Sequence, residues 1–221
     1  MKKQILALAS IVMIGGVMTF TSCKQDDITA PVINVTGGST QSQNLPNTAG
    51  SGTWTNPTVT ATDDEDGDVS SSVTVTGTVD PNTAGTYTLT YTVSDAAGNT
   101  ATETVTVSIV NSADFLERTY SNCHDTCQVT APFNYTAIVT ADNAVNGNFK
   151  INNFGGFGTS ININASLSGS NISVGASQSL GGSASIVACS GTVTSTSPAE
   201  FGTTYSWTDG SSTEVCISLY R

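Results

Sequence analysis

The sequence predicts an all-β protein in which a sandwich of two sheets is followed by a second antiparallel β-domain. Apolar residues alternate with Thr, Ser or Asn in short runs from residue 31 to the end of the chain, which is the period of a strand with one buried face. Turn-forming groups of Gly, Asp and Asn separate these runs. No helical period interrupts the runs of the first domain, and short strands at even spacing favour sandwiches and barrels.

The first 22 residues have the three parts of a bacterial signal peptide. Two lysines form a positive start, Ile5–Val17 is an apolar run of 13 residues, and small polar residues stand just before Cys23. The alternative is a retained membrane-spanning helix, which needs about 20 apolar residues. When the apolar run is extended to Phe20, its length comes closer to that of a membrane-spanning helix. Length alone therefore does not decide between a signal peptide and a retained helix. The cysteine at position 23 decides in favour of a signal peptide that is cleaved after Ser22.

Cys23 stands where the bacterial lipoprotein family carries its acylated cysteine, and the segment before it resembles that family. Phe20 departs from the pattern, because Leu is usual three residues before the cysteine. The resemblance implies that residues 1–22 are a lipoprotein signal peptide, that the thiol of Cys23 receives a diacylglycerol and that the new amine is acylated. Three acyl chains exceed the two signals that stable anchoring requires. We therefore expect residues 23–30 to be a lipidated tether.

The residues directly after Cys23 bear on location. Lys24–Asp27 is a Lys and a Gln followed by two acids, and it resembles the surface-export signal of lipoproteins in the Bacteroidetes group. The alternative is a solvated tether without a targeting role. The resemblance implies an outer-membrane protein that is held by its lipid anchor and exposed at the cell surface.

The chain is acidic, with 17 Asp and Glu against six Lys and Arg and a formal charge of −11. Two of those six basic residues belong to the signal peptide, and none lies between Lys24 and Arg118. Nucleic-acid binding depends on cations that neutralise phosphates, so we expect no nucleic-acid partner. Divalent cations, by contrast, would be attracted to such a surface.

The first domain is predicted over residues 31–111 from five alternating runs. Thr is β-branched and suits the exposed face of a strand, and it fills most of the polar positions in these runs. Turns rich in Asp, Gly and Asn connect them. The pattern favours two antiparallel sheets packed face to face. The predicted strands are residues 31–35, 58–62, 73–79, 87–93 and 104–109.

Three segments of this domain carry motifs of a known family. They are the acidic turn within residues 61–69, the triplet Gly85–Tyr87 and the turn Asp95–Asn99. The region from about residue 28 to 111 resembles the bacterial immunoglobulin-like domain named after a pesticidal crystal protein, which is related to HYR modules. Gly37–Trp54 departs from that pattern, because it is longer and richer in Ser, Asn and Gly than expected. The resemblance implies an immunoglobulin-like sandwich that serves as a spacer or adhesive unit and performs no catalysis.

Oxygen-bearing side chains crowd into two turns of this domain. Calcium takes six to eight oxygen ligands, and two such turns at one end of a sandwich could supply them. The spacing is not that of an EF-hand. The alternative is a solvated acidic turn, since Asp and Asn favour turns by bonding their own backbone. The candidate calcium ligands are Asp63, Asp64, Asp66, Asp68, Asp95 and Asn99.

The second domain is predicted over residues 115–221, after a short linker at Asn111–Asp114. It is richer in Asn, Gly, Ser and aromatic residues than the first. Seven or eight alternating runs, one of them ending in an Asp-Gly hairpin turn, predict a meander that forms a barrel or a sandwich. The pattern is similar to terminal β-domains of Bacteroidetes lipoproteins, some of them lipocalin-like. An eight-stranded barrel can hold one small ligand, but the aromatic residues would also serve as the core.

Four cysteines remain besides Cys23. An even number in an exported protein favours disulfides, and four cysteines allow three pairings. One set joins Cys123 to Cys127 in a small loop and Cys189 to Cys216 across neighbouring strands. The main alternative is Cys123–Cys216, which would tie the start of the second domain to its end.

The residue types that catalysis requires are scarce. His124 is the only histidine, and a nucleophile–histidine site would have to use it. It lies between Cys123 and Cys127, but their spacing is not typical of zinc sites, no fourth ligand is evident, and export favours a disulfide. Two carboxylates suffice for glycoside hydrolysis, yet the acids here concentrate in turns. We therefore predict that the protein is not an enzyme.

These observations predict a non-catalytic surface lipoprotein that binds or adheres to a glycan or protein ligand, with the first domain as its spacer. One alternative is a small-ligand carrier that uses a calycin-like cup in the second domain. Another is a purely structural part of an envelope assembly. The membrane is expected as a partner through the lipid anchor, and no cofactor is expected apart from the calcium ion considered above.

Overall fold

The computed structural model describes residues 26–221, so the signal peptide and Cys23 lie outside the described residues. Within this range every regular element is a β-strand or a short 3₁₀ turn. The predicted all-β class is therefore confirmed. No helix among residues 26–221 is long and apolar enough to cross a membrane.

The N-terminal sandwich consists of seven strands in two sheets. One sheet has the order β1-β3-β4, and the other has the order β2-β7-β6-β5. Neighbouring strands are antiparallel except β2 and β7, which are parallel. A 3₁₀ turn at Ser70–Ser72 follows β4. The strands are β1 (Val32–Val35), β2 (Thr40–Asn44), β3 (Val59–Asp63), β4 (Gly67–Asp68), β5 (Thr74–Thr76), β6 (Gly85–Ser94) and β7 (Thr100–Val110).

The alternation in β6 and β7 forms the sandwich core. Leu89 and Tyr91 of β6 lie on the same buried face as Val105 and Val107 of β7. Leu89 is directly opposite Val105 in the antiparallel register. Val35 of the other sheet packs into the same cluster. Burying each of these side chains contributes about 1.5–3 kcal/mol to folding, and the Thr residues between them face outward.

Two parts of the sandwich differ from the sequence prediction. β2 lies inside Gly37–Trp54, where no strand is predicted, because its residues are all polar and leave no apolar period. The predicted strand at residues 73–79 ends early, since β5 stops at Thr76. Gly77 follows with a φ of +94°. A side chain at this position would collide with the carbonyl oxygen of Thr88, so the chain turns away from β6 there.

The second domain is an eight-stranded barrel with one additional strand. The sheet order is β12-β11-β10-β9-β8-β16-β15-β14, and β12 also pairs with β14, which closes the ring. β13 pairs with β14 outside this ring. The two predicted options were a barrel and a sandwich, and the structure is a barrel. The strands are β8 (Arg118–Cys127), β9 (Phe133–Ala141), β10 (Asn148–Asn152), β11 (Asn162–Ser168), β12 (Asn171–Val174), β13 (Ser179–Gly181), β14 (Ala184–Thr196), β15 (Ala199–Thr208) and β16 (Thr213–Tyr220).

Aromatic rings fill the interior of the barrel. Phe201 and Tyr220 are stacked, with ring centroids 4.2 Å apart and an interplanar angle of 8°. Tyr120 meets Phe201 edge-on at 5.3 Å, and Phe154 meets Tyr205 at 4.7 Å. All five side chains are fully buried. The predicted role of the aromatic residues in core packing is therefore confirmed for these five.

The predicted linker is an ordered junction between the two domains. The side-chain amide of Asn111 donates to the carbonyl oxygens of Asp142 and Asn148 at 2.8 and 2.9 Å, and its side-chain oxygen accepts from the Gly147 backbone at 2.7 Å. The loop between β9 and β10 also reaches back to the sandwich. Asn146 donates its backbone N–H to the carbonyl oxygen of Pro46 at 2.9 Å. These bonds fix the barrel on the end of the sandwich.

The strand directions place the other ends of both domains far from this junction. β7 begins next to the acidic turns and ends at the junction, and β8 begins at the junction after a 3₁₀ turn at Asp114–Leu116. The acidic turns therefore lie at the end of the sandwich that faces the N-terminal segment. The end of β8 and the start of β9 lie at the opposite, distal end of the barrel.

Candidate functional site

A pocket opens at the distal end of the barrel. It has a volume of about 190 Å³. The end of β8, the starts of β9 and β16, the end of β15 and the 3₁₀ turn at Phe154–Gly156 contribute its walls. We call it the distal pocket. Its lining residues are Asp125, Cys127, Thr130, Phe133, Gly155, Gly156, Phe157, Tyr205, Trp207 and Glu214.

Four of the ten residues that line the distal pocket are aromatic. Phe157 and Trp207 meet edge-on with ring centroids 5.2 Å apart, and Phe157 lies 6.5 Å from Tyr205. Phe157 and Trp207 are half-buried, and Phe133 at the rim is 36% exposed. Exposed and half-buried rings around a concave space are typical of binding sites, because they present apolar surface that a ligand can cover.

The turn at Phe154–Gly156 shapes the pocket because it contains no side chains at two positions. Gly155 and Gly156 both have positive φ, at 55° and 72°. A side chain on Gly155 would strike the hydroxyl of Tyr205, and one on Gly156 would strike the ring of Phe133. The backbone of the turn therefore approaches the aromatic walls closely, which only glycine permits.

Two carboxylates of the distal pocket are held by hydrogen bonds. The buried carboxylate of Asp125 accepts from the Tyr205 hydroxyl at 2.6 Å and from the Ser218 hydroxyl at 2.8 Å. Burial raises the pKa of Asp125, although these two bonds oppose the shift. Glu214 accepts from the backbone N–H groups of Val129 and Thr130 at 2.9 and 2.7 Å. The Thr130 N–H is the main reason that the pKa of Glu214 is lowered, and Glu214 thereby holds the loop between β8 and β9 on the rim.

A disulfide lies beside the distal pocket, but its pairing differs from the predicted ones. Cys127 of β8 is bonded to Cys216 of β16, which is directly opposite in the antiparallel register. The predicted pairs Cys123–Cys127, Cys189–Cys216 and Cys123–Cys216 are not formed, and those assignments were wrong. Cys123 is buried and Cys189 is half-buried, both as free thiols. Burial raises the pKa of these thiols to about 11 and about 12.

His124 does not join the cysteines on either side of it. Successive residues of a strand face opposite sides. Cys123 faces the barrel interior, whereas His124 is exposed on the outside, where its Nδ1 lies 2.8 Å from the side-chain oxygen of Asn134. The three residues therefore do not converge on one point.

A shallow polar groove lies on the outside of the barrel wall. It has a volume of about 470 Å³ and crosses β9, β10 and β11. We call it the outer groove. Its amide side chains and one ammonium group offer hydrogen bonds, but no aromatic side chain of the described part of the chain lines it. The lining residues are Ile138, Thr140, Lys150, Asn152, Asn162 and Asn164.

The acidic turns of the sandwich bring some, but not all, of the predicted calcium ligands together. Asp63 and Asp64 each place a carboxylate oxygen within 4.8 Å of one on Asp27. Asp95 bonds its own turn instead, accepting from the backbone of Gly98 at 2.6 Å and from the amide of Asn99 at 2.8 Å. We call Asp27, Asp63 and Asp64 the acidic triad.

Asp66 and Asp68 have other partners. Asp66 accepts from the backbone N–H of Ala96 at 2.6 Å and so joins the two acidic turns. Asp68 accepts from the backbone and the hydroxyl of Ser70 at 2.9 and 2.5 Å. The Asp68 bonds are those of an ordinary turn, whereas the Asp66 bond is a contact between two turns. The structure therefore separates Asp66 and Asp68 from Asp63 and Asp64, which the sequence analysis grouped with them.

Sequence reasoning missed Asp27 as a member of this cluster. It was assigned to the tether, but the side-chain amide of Asn99 donates to its backbone oxygen at 3.2 Å, and Asp27 is half-buried. The hydrogen bond from Thr29 lowers the pKa of Asp27, but partial burial and the negative charges of Asp63, Asp95 and Asp64 outweigh it and raise the pKa. Its position in a pair of acids was the only signal in the sequence.

Comparison with known proteins identifies the class of the first domain. Residues 41–109 match the family described as "Bacterial surface protein, Ig-like domain". The protein thus contains an Ig-like domain of the bacterial surface type. The match covers less than half of the chain, and a search of curated proteins finds no match.

Two solved structures show a limited similarity to the chain. A lipoprotein from Bacteroides thetaiotaomicron is 20% identical, with a TM-score of 0.39, over 86% of this chain and 100% of that one. A structure of the CBM51-2 domain in complex with GlcNAc and of INT domains, from Clostridium perfringens ZmpB, is 18% identical, with a TM-score of 0.27. That likeness covers 78% of this chain and 29% of the other. Both scores are below 0.5 and carry no argument about function.

Proposed function

We propose that this protein is a lipid-anchored, non-catalytic binding protein of the cell surface, in which the barrel binds a glycan through the distal pocket. The Ig-like domain serves as the spacer that holds the barrel away from the membrane. The single observation that carries the proposal is the position of an aromatic-lined pocket at the end of the barrel farthest from the N-terminal segment.

The size and lining of the distal pocket favour one ring of a larger ligand. Its volume of about 190 Å³ is close to that of an apolar cavity of about 150 Å³ that accommodates benzene. Phe133, Phe157 and Trp207 would cover the apolar face of a sugar ring. The Thr130 hydroxyl donates to Glu214 at 3.0 Å. Because Asp125 and Glu214 already accept bonds from the protein, they support the walls and we assign them no catalytic role.

A deep cup for a carried ligand has less support. The stacked rings of Phe201 and Tyr220, with Tyr120 against them, occupy the interior that a calycin-like site would use. The distal pocket opens to solvent above these rings and does not continue into the interior of the barrel. The resemblance of the first domain to the crystal-protein type of immunoglobulin-like module supports the spacer role, since such modules usually connect functional units on surface proteins.

Glycan-array binding of the purified protein tests the proposal. We expect binding that Trp207→Ala and Phe157→Ala each reduce by about tenfold or more, since aromatic anchors often contribute 2 kcal/mol or so. Phe115→Ala, which alters a 38%-exposed aromatic residue at the junction end of the barrel, is the matched control and should bind normally. Asn164→Ala in the outer groove is a second control. Loss of binding only in the Asn164 variant would move the site to the outer groove, and binding to protein ligands but not glycans would reject the ligand class.

The anchor and the location need separate measurements. Intact-mass analysis of membrane-extracted protein should find the chain beginning at Cys23 with acyl chains attached. Protease treatment of intact cells should remove the barrel if the protein is at the surface. A chain that still carries residue 1, or that resists protease until the outer membrane is broken, contradicts the anchor or the surface location, respectively.

A further inference from the structure

The acidic triad joins two parts of the chain that are far apart in sequence. Asp27 belongs to the segment before β1, whereas Asp63 and Asp64 belong to the turn between β3 and β4. One carboxylate oxygen of each lies within 4.8 Å of those of the other two. Thr29 donates its hydroxyl to Asp64 at 3.4 Å. The segment that would follow the lipid anchor is thus held against the sandwich by hydrogen bonds, although this places groups of like charge close together.

Asp63 supplies an independent indication that a ligand belongs among these carboxylates. Its side chain is only 9% exposed. One carboxylate oxygen accepts from the backbone N–H groups of Glu65 and Asp66 at 2.9 and 3.0 Å. The other oxygen, Oδ1, is buried and has no hydrogen-bond partner among residues 26–221. Buried carboxylate oxygens are normally paired, and an exception calls for an explanation such as a bound ion.

No cationic side chain among the described residues of the first domain can neutralise the triad. Residues 25–117 contain no Lys, Arg or His. Three carboxylates at this separation repel one another unless a positive charge lies between them. The protein as a whole is strongly acidic and offers no surplus of positive charge elsewhere. A cation from solution would supply the compensating charge.

We propose that Asp27, Asp63 and Asp64 bind one calcium ion, which attaches the N-terminal segment to the end of the sandwich. An all-oxygen set of hard, charged donors selects magnesium, calcium or manganese over softer metals. Calcium fits best because it accepts six to eight oxygens in an irregular arrangement, whereas magnesium requires near-ideal octahedral geometry. Water or backbone oxygens would complete the shell around the three carboxylates.

The proposed calcium ion would make the N-terminal end of the sandwich more rigid. Hydrogen bonds from Asn99 to Asp27 and from Thr29 to Asp64 already hold the N-terminal segment on the sandwich, and calcium would strengthen that attachment. The orientation of the sandwich relative to the membrane would then depend on external calcium. This inference concerns only the first domain and stands whether or not the distal pocket binds a glycan.

Calorimetric titration of the EDTA-treated full-length protein with calcium chloride tests the site. We expect one ion per chain with a Kd of about 10⁻⁴–10⁻³ M, the range of extracellular calcium modules. Calcium at about 10 mM should raise the Tm of the sandwich by several degrees. Asp64→Asn, at an exposed position that the fold should tolerate, and Asp27→Asn should each weaken binding by about tenfold or more.

Asp68→Asn is the matched control, because it removes a carboxylate charge from the same turn outside the triad and should leave binding unchanged. Hydrogen exchange of residues 26–31 should slow when calcium is added to the original protein. The absence of binding at about 10 mM calcium, or equal binding by the Asp64→Asn variant, would overturn the site. Loss of binding in Asp64→Asn with normal binding in Asp27→Asn would overturn the attachment of the N-terminal segment.

Discussion

The sandwich and the barrel are both built from alternating strands, but they fill their interiors with different side chains. The sandwich core is mainly Val, Leu and Ile together with Tyr91. The barrel core adds six buried Phe and Tyr side chains to eight of Leu, Ile and Val. Two stacked sheets lie about 10 Å apart, and aliphatic side chains from both inner faces span that distance. A ring of eight strands encloses a wider space that needs larger side chains. Whether a sheet packs on a second sheet or closes into a barrel thus determines which side chains its alternating pattern buries.

The two domains also differ in where their chemically active groups lie. In the sandwich they are the carboxylates of the N-terminal turns, which no basic side chain of that domain neutralises. In the barrel they are the aromatic rings that line the distal pocket, beside the Cys127–Cys216 disulfide. One end of the molecule therefore carries clustered negative charge and the other carries partly exposed aromatic surface. Since Trp54 lies in the sandwich and Trp207 in the barrel, single-Trp variants can report the unfolding of each domain separately.

The largest expected effect comes from the aromatic core of the barrel. Phe201→Ala removes a ring that stacks on Tyr220 and meets Tyr120, and it should destabilise the barrel by about 3–5 kcal/mol. Urea unfolding followed by Trp207 fluorescence measures this loss. Leu89→Ala is the matched change in the sandwich and should instead shift the Trp54 signal. If both variants shift both signals equally, the domains unfold as one unit and the comparison of separate cores fails.

Removal of the disulfide should have the next largest effect. Cys127 and Cys216 are 89 residues apart in sequence, so their bond restricts a long loop of the unfolded chain and should stabilise the barrel by about 2–4 kcal/mol. Cys216→Ala tests this in the same urea experiment. Cys189→Ala removes a free, half-buried thiol and serves as the control. Equal losses in the two variants would argue against the Cys127–Cys216 pairing.

The junction should contribute less than either core feature. Asn111→Ala removes a buried side chain that bonds the β9–β10 loop, and we expect a loss of about 1–3 kcal/mol. Hydrogen exchange of residues 142–148 should become faster. Ser112→Ala, which retains the backbone bond to Asn146, should have no such effect. Unchanged exchange in the Asn111 variant would mean that the domains are joined without this residue.

The smallest expected effect is a pH dependence of opposite sign in the two domains. The pKa of Asp125 is raised by burial, so its contribution to barrel stability is greatest below the unfolded value of 3.8 and is lost as the pH rises through the folded pKa. The pKa of Asp80 in the sandwich is lowered, chiefly by the N–H of Asn82. Its contribution is present above 3.8 and is lost as the pH falls through the folded pKa.

Unfolding measured from pH 3 to 7 or so, in Asp125→Asn and Asp80→Asn against the original protein, checks these signs. The original barrel should lose stability relative to the Asp125 variant as the pH rises. The original sandwich should lose stability relative to the Asp80 variant as the pH falls. The same sign of pH dependence for both pairs would refute the assignment of Asp125 as a carboxyl that burial shifts.

Much of the fold could be predicted from the sequence because the decisive signal was local. The runs around Leu89 and Val107 alternate so regularly that strand, buried face and domain follow from them directly. β2 could not be found in this way, since all of its residues are polar. It is held in place by pairing with β7, which is a property of the neighbouring strand and not of its own side chains.

The candidate sites were only partly predictable. The acidic turns were evident as oxygen-rich segments. Which of their carboxylates belong to the acidic triad, and which form hydrogen bonds elsewhere, depends on where Asp27 packs. The distal pocket brings together Phe133, Phe157 and Trp207 from three separate parts of the chain. No spacing in the sequence indicates that these residues line the same pocket, because their proximity depends on which strands pair around the barrel.

The sequence alone determined the all-β class, the order of the two domains, the acidic character of the first and the aromatic content of the second. These properties follow from composition and from a period of two residues, which each segment carries by itself. The tertiary structure alone decided the closure through β12 and β14, the pairing of Cys127 with Cys216, the contact of Asp27 with the sandwich and the position of the distal pocket. Each of these depends on strand partners that are distant in sequence, and an alternating pattern specifies the face of a strand but not its neighbour.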